Sequence, residues 1–282
     1  MSIPLEDQFN DVIGKARRGL GMTEEALSAR SGVPVADIKA AMRGEVDEIV
    51  LLKLAPALEL DGAALVTLAQ NTWTPEGVQL EGLAQFNTDW NDMTVNSYIV
   101  YDPATKEAAA FDTGASAQPM VDFIKEKGLH LNVIFLTHTH PDHIADLKGL
   151  CEAGAPAVFI NEREPTEGAK TFAPGDTEGW KVGGLHIEPR NTHGHSKGGT
   201  TYVITGLAKP VAVVGDALFS SSMGGGVVSF LDALATNRKE IFTLADETIV
   251  CPGHGPLTTI AEEKAHNPFY PEFKSEPSFL PA

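Results

Sequence analysis

The chain has 282 residues, enough for one or two domains with a sizeable core, and its 43% apolar content is ordinary for a folded protein. A formal net charge of −17 opposes long-range attraction to nucleic acid or an anionic membrane, and no apolar run approaches the ~20 residues that span a bilayer. Residues 1–19 have early acids and no apolar core, so no secretion signal is expected. The two cysteines, Cys151 and Cys251, make no disulfide framework and read as reduced thiols of a cytoplasmic protein.

From Phe9 to about Thr72 apolar residues recur at helical spacing: Val12, Ile13, Ala16, Leu20; then Ala26, Leu27, Ala29; then Ile38, Ala41, Met42; then Ile49, Leu52, Leu54. Thr23 before Glu24 and Glu25 reads as an N-cap. Ser31-Gly32-Val33-Pro34 is a turn whose proline opens the next helix. The spacing of Leu27, Gly32, Val33 and Ile38 resembles the helix-turn-helix of phage-repressor-like domains. A major-groove reader needs Arg, Lys, Asn or Gln on its recognition helix. Val35 to Arg43 offers Lys39 and Arg43 beside Asp37, and residues 1–72 carry seven Lys or Arg against eleven Asp or Glu, a net of −4. DNA binding is therefore not expected. The preferred reading is a helical module for dimerisation, making a homodimer, or for covering an active site.

Asn71-Thr72-Trp73-Thr74-Pro75-Glu76-Gly77 reads as a linker between a helical domain, 1–72, and a second domain, 73–282, with a proline-rich C-terminal tail. Asn96 to Tyr101 and Ala108 to Phe111 are predicted strands, and Pro119 to Lys127 an amphipathic helix. Val133 to Leu136 and Ala157 to Ile160 are buried strands, and the rhythm indicates layered α/β structure. Asn161 to Glu178 is predicted mostly as loop that walls the site. Strands at Leu185–Pro189, Tyr202–Ile204 and Val211–Val214 follow. Ser220 to Gly226 is flexible by composition, Ser229 to Thr243 reads as a helix, and Thr248–Cys251 is the last strand.

The densest chemistry is Thr137-His138-Thr139-His140-Pro141-Asp142-His143, three histidines and one aspartate in seven positions, leaving the strand Val133 to Leu136. Neutral imidazoles suit zinc, iron or nickel, and a carboxylate adds a hard ligand. With Asn191-Thr192-His193-Gly194-His195-Ser196, Val214-Gly215-Asp216-Ala217-Leu218-Phe219 and Cys251-Pro252-Gly253-His254-Gly255-Pro256, it forms an ordered set that resembles the metallo-β-lactamase fold superfamily. That resemblance implies a four-layer αββα sandwich, here with a small all-α N-terminal domain. It implies that His138, His140 and His195 hold one metal, that Asp142, His143 and His254 hold a second, and that Asp216 bridges them. Two divalent ions are expected, zinc foremost, with iron or manganese as alternatives. Asp112, in an Asp-x-Gly turn, would support the ligands. His193 falls where the family has no ligand and reads as a supporting or wall residue. Lys197 reads as a solvated lysine, or one meeting an anionic substrate group. His130, His186 and His266 read as isolated surface residues.

Asp216-Ala217-Leu218-Phe219 and Glu263 to Phe269 look closest to the glyoxalase II-like branch, which hydrolyses thioesters such as hydroxyacyl-glutathione. Glyoxalase II proper, however, carries Cys-Gly-His-Glu-Tyr at the last motif and a basic C-terminal extension. This chain has Lys274 as its one Lys or Arg after His266, which argues against glutathione. The resemblance thus implies a hydrolase of a thioester, ester or lactone, a small-molecule substrate. A hydroxide bridging the metals would attack, with Asp142 orienting it and accepting its proton. The alternatives are a persulfide dioxygenase with one iron on His138, His195 and Asp216, and a DNA-binding regulator with a metal-domain sensor.

Overall fold

The computed structural model describes residues 3–154 and 156–274. Helices come first: α1 Phe9–Gly19, α2 Glu24–Ser31, α3 Val35–Met42, α4 Glu48–Ala57 and α5 Gly62–Ala69. Their ends are set by the residues the sequence offers. The Thr23 side chain accepts the Ala26 amide at 3.2 Å, Gly32 closes α2 in the left-handed conformation, and Asp47 and Asp61 cap α4 and α5.

The remainder folds as β1 Leu83–Trp90, β2 Met93–Tyr101, β3 Glu107–Phe111, α6 Gln118–Lys127, β4 His130–Phe135, α7 Pro141–Ile144, α8 Leu147–Glu152, β5 Ala157–Asn161 and β6 Lys170–Phe172. Then come β7 Trp180–Val182, β8 Leu185–Asn191, β9 Thr200–Thr205, β10 Val211–Gly215, α9 Phe230–Thr236, β11 Ile249–Pro252, β12 Thr258–Thr259 and α10 Ile260–His266. The first sheet runs β1-β2-β3-β4-β5-β6, antiparallel up to β3 and parallel beyond it. The second runs β12-β11-β10-β9-β8-β7 and is antiparallel except for β10 beside β11.

Tyr98, Phe111, Phe135, Tyr202, Val213 and Cys251 fill the space between the sheets. Ile99, Ala110 and Ile134 turn the other way, onto Met120 and Ile124 of α6 and Leu150 of α8. The layering is the expected αββα sandwich. On the outer face of the second sheet, Ala212, Val214 and Val250 share one apolar cluster with Phe230, Ile260 and Phe269 and with Val12, Ile13, Leu27 and Leu65 of the helical unit. The helices α1–α5 are therefore packed into that outer layer. Burial on this scale favours a fixed seat for them. The Asp61 amide adds a 2.8 Å bond to the Pro268 carbonyl.

Several sequence expectations need correction. Ser220–Met223 is not a flexible run: all four residues are buried, and Ser221 sits at φ 60°. Small polar residues look mobile in sequence, but here Ser221, Ser222 and Met223 find distant partners, while the Ser220 hydroxyl is buried without one. Lys15 Nζ donates to the Met223 carbonyl at 2.9 Å, Ser222 Oγ and Lys15 both bind the Asp7 carboxylate, and Asn267 Nδ2 donates to the Ser222 carbonyl at 2.8 Å. His266 is half-buried, its ring stacked at 4.0 Å on Trp73 of the linker, and His186 is also half-buried; His130 is exposed. The segment Asn161 to Glu178 is mostly loop as expected, and the short strand β6 within it forms the first sheet's edge. The helix foreseen over Ser229 to Thr243 is α9 followed by a π-turn at Asn237–Ile241. The proline-rich tail lies outside the described residues beyond 274. Among the described residues no helix is long and apolar enough to cross a membrane.

Candidate metal centre

The segments that carry the candidate ligands all leave strand ends on one edge of the sandwich. His138 and His140 follow β4, Asp142 and His143 open α7, Asp216 follows β10, and His254 follows β11; His195 lies in the connection between β8 and β9. Gly253 permits the close approach of the ends of β10 and β11, where its amide donates to the Gly215 carbonyl at 2.8 Å. A Cβ there would lie 2.1 Å from Asp216 Oδ1 and 2.6 Å from His143 Cε1, so no side chain fits.

Seven side chains converge in two groups: His138, His140, His195 and Asp216, and Asp142, His143 and His254. His140 Nδ1 lies 3.0 Å from both His138 Nε2 and His195 Nε2. His254 Nε2 is 3.3 Å from Asp142 Oδ2, and His143 Nε2 is 3.6 Å from the same oxygen. Asp216 stands between the groups, with Oδ2 3.3 Å from His195 Nε2 and Oδ1 3.2 Å from His143 Nε2. Of the two carboxylates, Asp216 is the one with an oxygen close to the histidines of each group.

The outward ring nitrogens are committed elsewhere. His195 Nδ1 bonds the Gly225 carbonyl at 2.8 Å, and His254 Nδ1 the Thr94 carbonyl at 2.6 Å. His143 Nδ1 lies 2.8 Å from Asp112 Oδ2. Asp112 also accepts the Thr137 amide and hydroxyl, both at 2.7 Å, and Thr137 Oγ1 lies 3.0 Å from His138 Nδ1. This fixes the tautomers so that His138, His143, His195 and His254 turn Nε2 inward. His143 Nε2 and Asp216 Oδ1 are buried without a hydrogen-bond partner. Imidazole lone pairs packed this closely, beside orphaned buried atoms, are what a cation resolves. The two clusters fit a dinuclear metal site.

Electrostatics agree. Burial pushes His138 and His195 below the ordinary histidine value, which favours neutral imidazoles. Burial opposes protonation of His143 as well, but the Asp216 and Asp112 carboxylates outweigh it and raise it to about 10. Hydrogen bonds to Asp142 and Asp216 likewise overcome burial at His254 and raise it to about 11. Burial would raise Asp216, yet His143 above all holds it well below the usual carboxylate range. A bound cation replaces those protons.

His193 is not in either group; its Nε2 lies 4.0 Å from Asp232. Lys197 is exposed and has no ion pair among the described residues. Cys251 is buried between the sheets and its thiol is pushed up by burial, so it is packing material. Sequence reasoning missed Glu164, whose carboxylate accepts the Thr139 and Gly198 amides, each at 3.0 Å, and so ties the two histidine-bearing loops together. A lone acid in a loop carries no local signal of this.

A family profile described as the metallo-beta-lactamase superfamily matches residues 90–254, which contain all seven of these side chains. The chain belongs to that superfamily. It is 32% identical over 199 residues to a probable metallo-hydrolase, M6_Spy0554, of Streptococcus pyogenes, covering 61% of this chain and 84% of that protein. It is 28% identical over 200 residues to the hydroxyacylglutathione hydrolase GloC of Haemophilus influenzae, covering 62% and 92%. Among solved structures it is similar to ETHE1 from Myxococcus xanthus, with a TM-score of 0.57 and 28% identity over 66% of this chain and 83% of that one. The helices α1–α5 lie outside the family match.

Proposed function

We propose that this superfamily member is a dinuclear metal-dependent hydrolase of thioesters, esters or lactones, with zinc as the preferred metal. The observation that carries the reading is the second group, Asp142, His143 and His254, standing against Asp216 beside the first. A single iron on His138, His195 and Asp216 would leave Asp142, His143 and His254 with no metal to hold. Similarity to a probable metallo-hydrolase and to GloC supports hydrolysis over oxygen chemistry.

Two ions held by these residues would supply a hydroxide at neutral pH and polarise a carbonyl. The rest falls to the chain. Asp142 is opposed by burial but held below the ordinary aspartate value by His254, so it stays an acceptor for the proton released in the attack. Asp216 fixes the spacing of the two groups. Val227 and Val228 follow Gly225, which receives the His195 bond, and both are exposed, as is Leu231; they offer an apolar lip for an acyl group.

Two features disfavour the DNA-regulator reading. On α3, Lys39 pairs with Glu24 at 3.4 Å, and beyond it Arg43 pairs with Glu45 at 2.8 Å, so little free positive charge is left for phosphates. The experiment is a hydrolysis screen of metal-loaded protein across thioesters, lactones and phosphodiesters, with Asp142→Ala as control. Turnover of a thioester, ester or lactone, lost mainly in kcat in the variant, supports the reading. Turnover of phosphodiesters alone contradicts it.

A further inference from the structure

The helical unit does more than cover the second sheet, because the segment leading into it reaches the metal centre. Pro4–Glu6 lies against Gly255, the residue after the ligand His254. A Cβ on Gly255 would stand 3.2 Å from the Glu6 nitrogen, 3.5 Å from the Glu6 Cβ and 3.6 Å from the Pro4 carbonyl oxygen, and Gly255 itself sits at φ 78°. Asp7, next in the chain, is anchored by Lys15 and Ser222 in the loop that follows Asp216. Lys15 also reaches over the Phe219 ring at 5.1 Å, and that ring meets the His254 ring edge-on at 5.6 Å. The backbone of this segment is thus fixed from both sides.

Glu6 is half-buried, and among the described residues its carboxylate makes no hydrogen bond and no ion pair. The charges acting on it are His254, Asp7, Lys15 and Asp216. Asp7 and Lys15 satisfy one another, which leaves His254 as the opposite charge that acts most on Glu6, and a metal held by a neutral His254 would remove that charge. The Glu6 carboxylate oxygens are not among the buried side-chain atoms left without a partner, so the group stays open to solvent and to a ligand's cationic group.

Resting on the hydrolase reading above, we propose that Glu6 is a specificity-determining residue, supplied by the N-terminal segment, that favours substrates carrying an ammonium or other cationic group beside the scissile bond and disfavours anionic ones. At short range in a partly desolvated site a charge of either sign is discriminated strongly. The chain's formal net charge of −17 acts in the same direction at longer range.

The test uses thiols, which ligate zinc whether or not the protein turns over any ester. Dissociation constants of cationic 2-aminoethanethiol and anionic mercaptoacetate are measured by calorimetry on the full-length zinc-loaded protein, each referenced to neutral 2-mercaptoethanol. The wild type should prefer the cationic thiol. Glu6→Gln should reduce the cation-to-anion preference about tenfold, the effect of about 1.4 kcal/mol of charge interaction, and Glu6→Lys should reverse it. Metal content and melting temperature are checked in each variant. A preference equal in wild type and Glu6→Gln, or a wild type that binds mercaptoacetate more tightly, overturns the proposal. A protein that shows the predicted preference but hydrolyses no ester would leave Glu6's role standing and remove the hydrolase reading.

Discussion

Asp112 Oδ2 lies 2.8 Å from His143 Nδ1, and both side chains are buried. That contact dictates which ring nitrogen of His143 faces Asp216. Asp112→Asn should lower metal affinity about 10–100-fold, the usual effect of removing a carboxylate behind a metal-binding histidine. Metal content after dialysis against graded chelator measures it. Affinity equal to wild type would show that the ring is oriented by something else.

His195 and His193 sit two residues apart yet do different things. His195 belongs to the first group that could hold a metal and His193 belongs to neither. His195→Ala should cost more metal affinity than the roughly 10–100-fold of a supporting residue, while His193→Ala keeps its metal. Elemental analysis of both variants decides it. Equal losses would move the ligand assignment in this loop.

The Lys15–Asp7 pair ties α1 to the loop that carries Asp216 onward to Met223. Lys15→Met leaves Asp7 buried without its counter-charge, at a cost on the order of 3 kcal/mol. Chemical denaturation should show the loss, and hydrogen exchange should quicken at 216–226. Unchanged exchange there would mean the helical unit does not brace the centre.

Glu263 is buried, and burial raises it to about 7, against hydrogen bonds from Asn267, Thr258 and the Ser221 amide that favour the charged form. Its folded value lies above the unfolded one of 4.5. Its stabilising contribution is therefore complete below that unfolded value and is lost as pH rises through about 7. Wild type should lose melting temperature relative to Glu263→Gln between pH 5 and pH 8. A difference between the two that does not vary with pH would contradict this.

Local chemistry was readable in the sequence. Apolar strand runs, the Thr23 cap and the packed histidines of residues 137–143 depend on neighbours within a few positions. The seven converging side chains were also named, because each of their segments carries its own pattern. What stayed hidden depends on contacts across the chain. Glu164 reaches Thr139 and Gly198, Glu263 reaches Ser221, and Lys15 reaches Met223, and no spacing rule connects such pairs. The same holds for Glu6, whose position follows from packing against Gly255. The serine run at 220–222 was misread as flexible for this reason: its composition was visible and its partners were not.

The most direct measurement of the dinuclear hydrolase is a zinc titration of chelator-stripped protein, following bound metal and thioester turnover together. The account predicts about two equivalents per chain, as in two-metal hydrolytic sites, with turnover rising until the second is bound and absent in Asp216→Ala. One tightly held iron per chain, no further uptake, and turnover indifferent to Asp142 and His254 would contradict it.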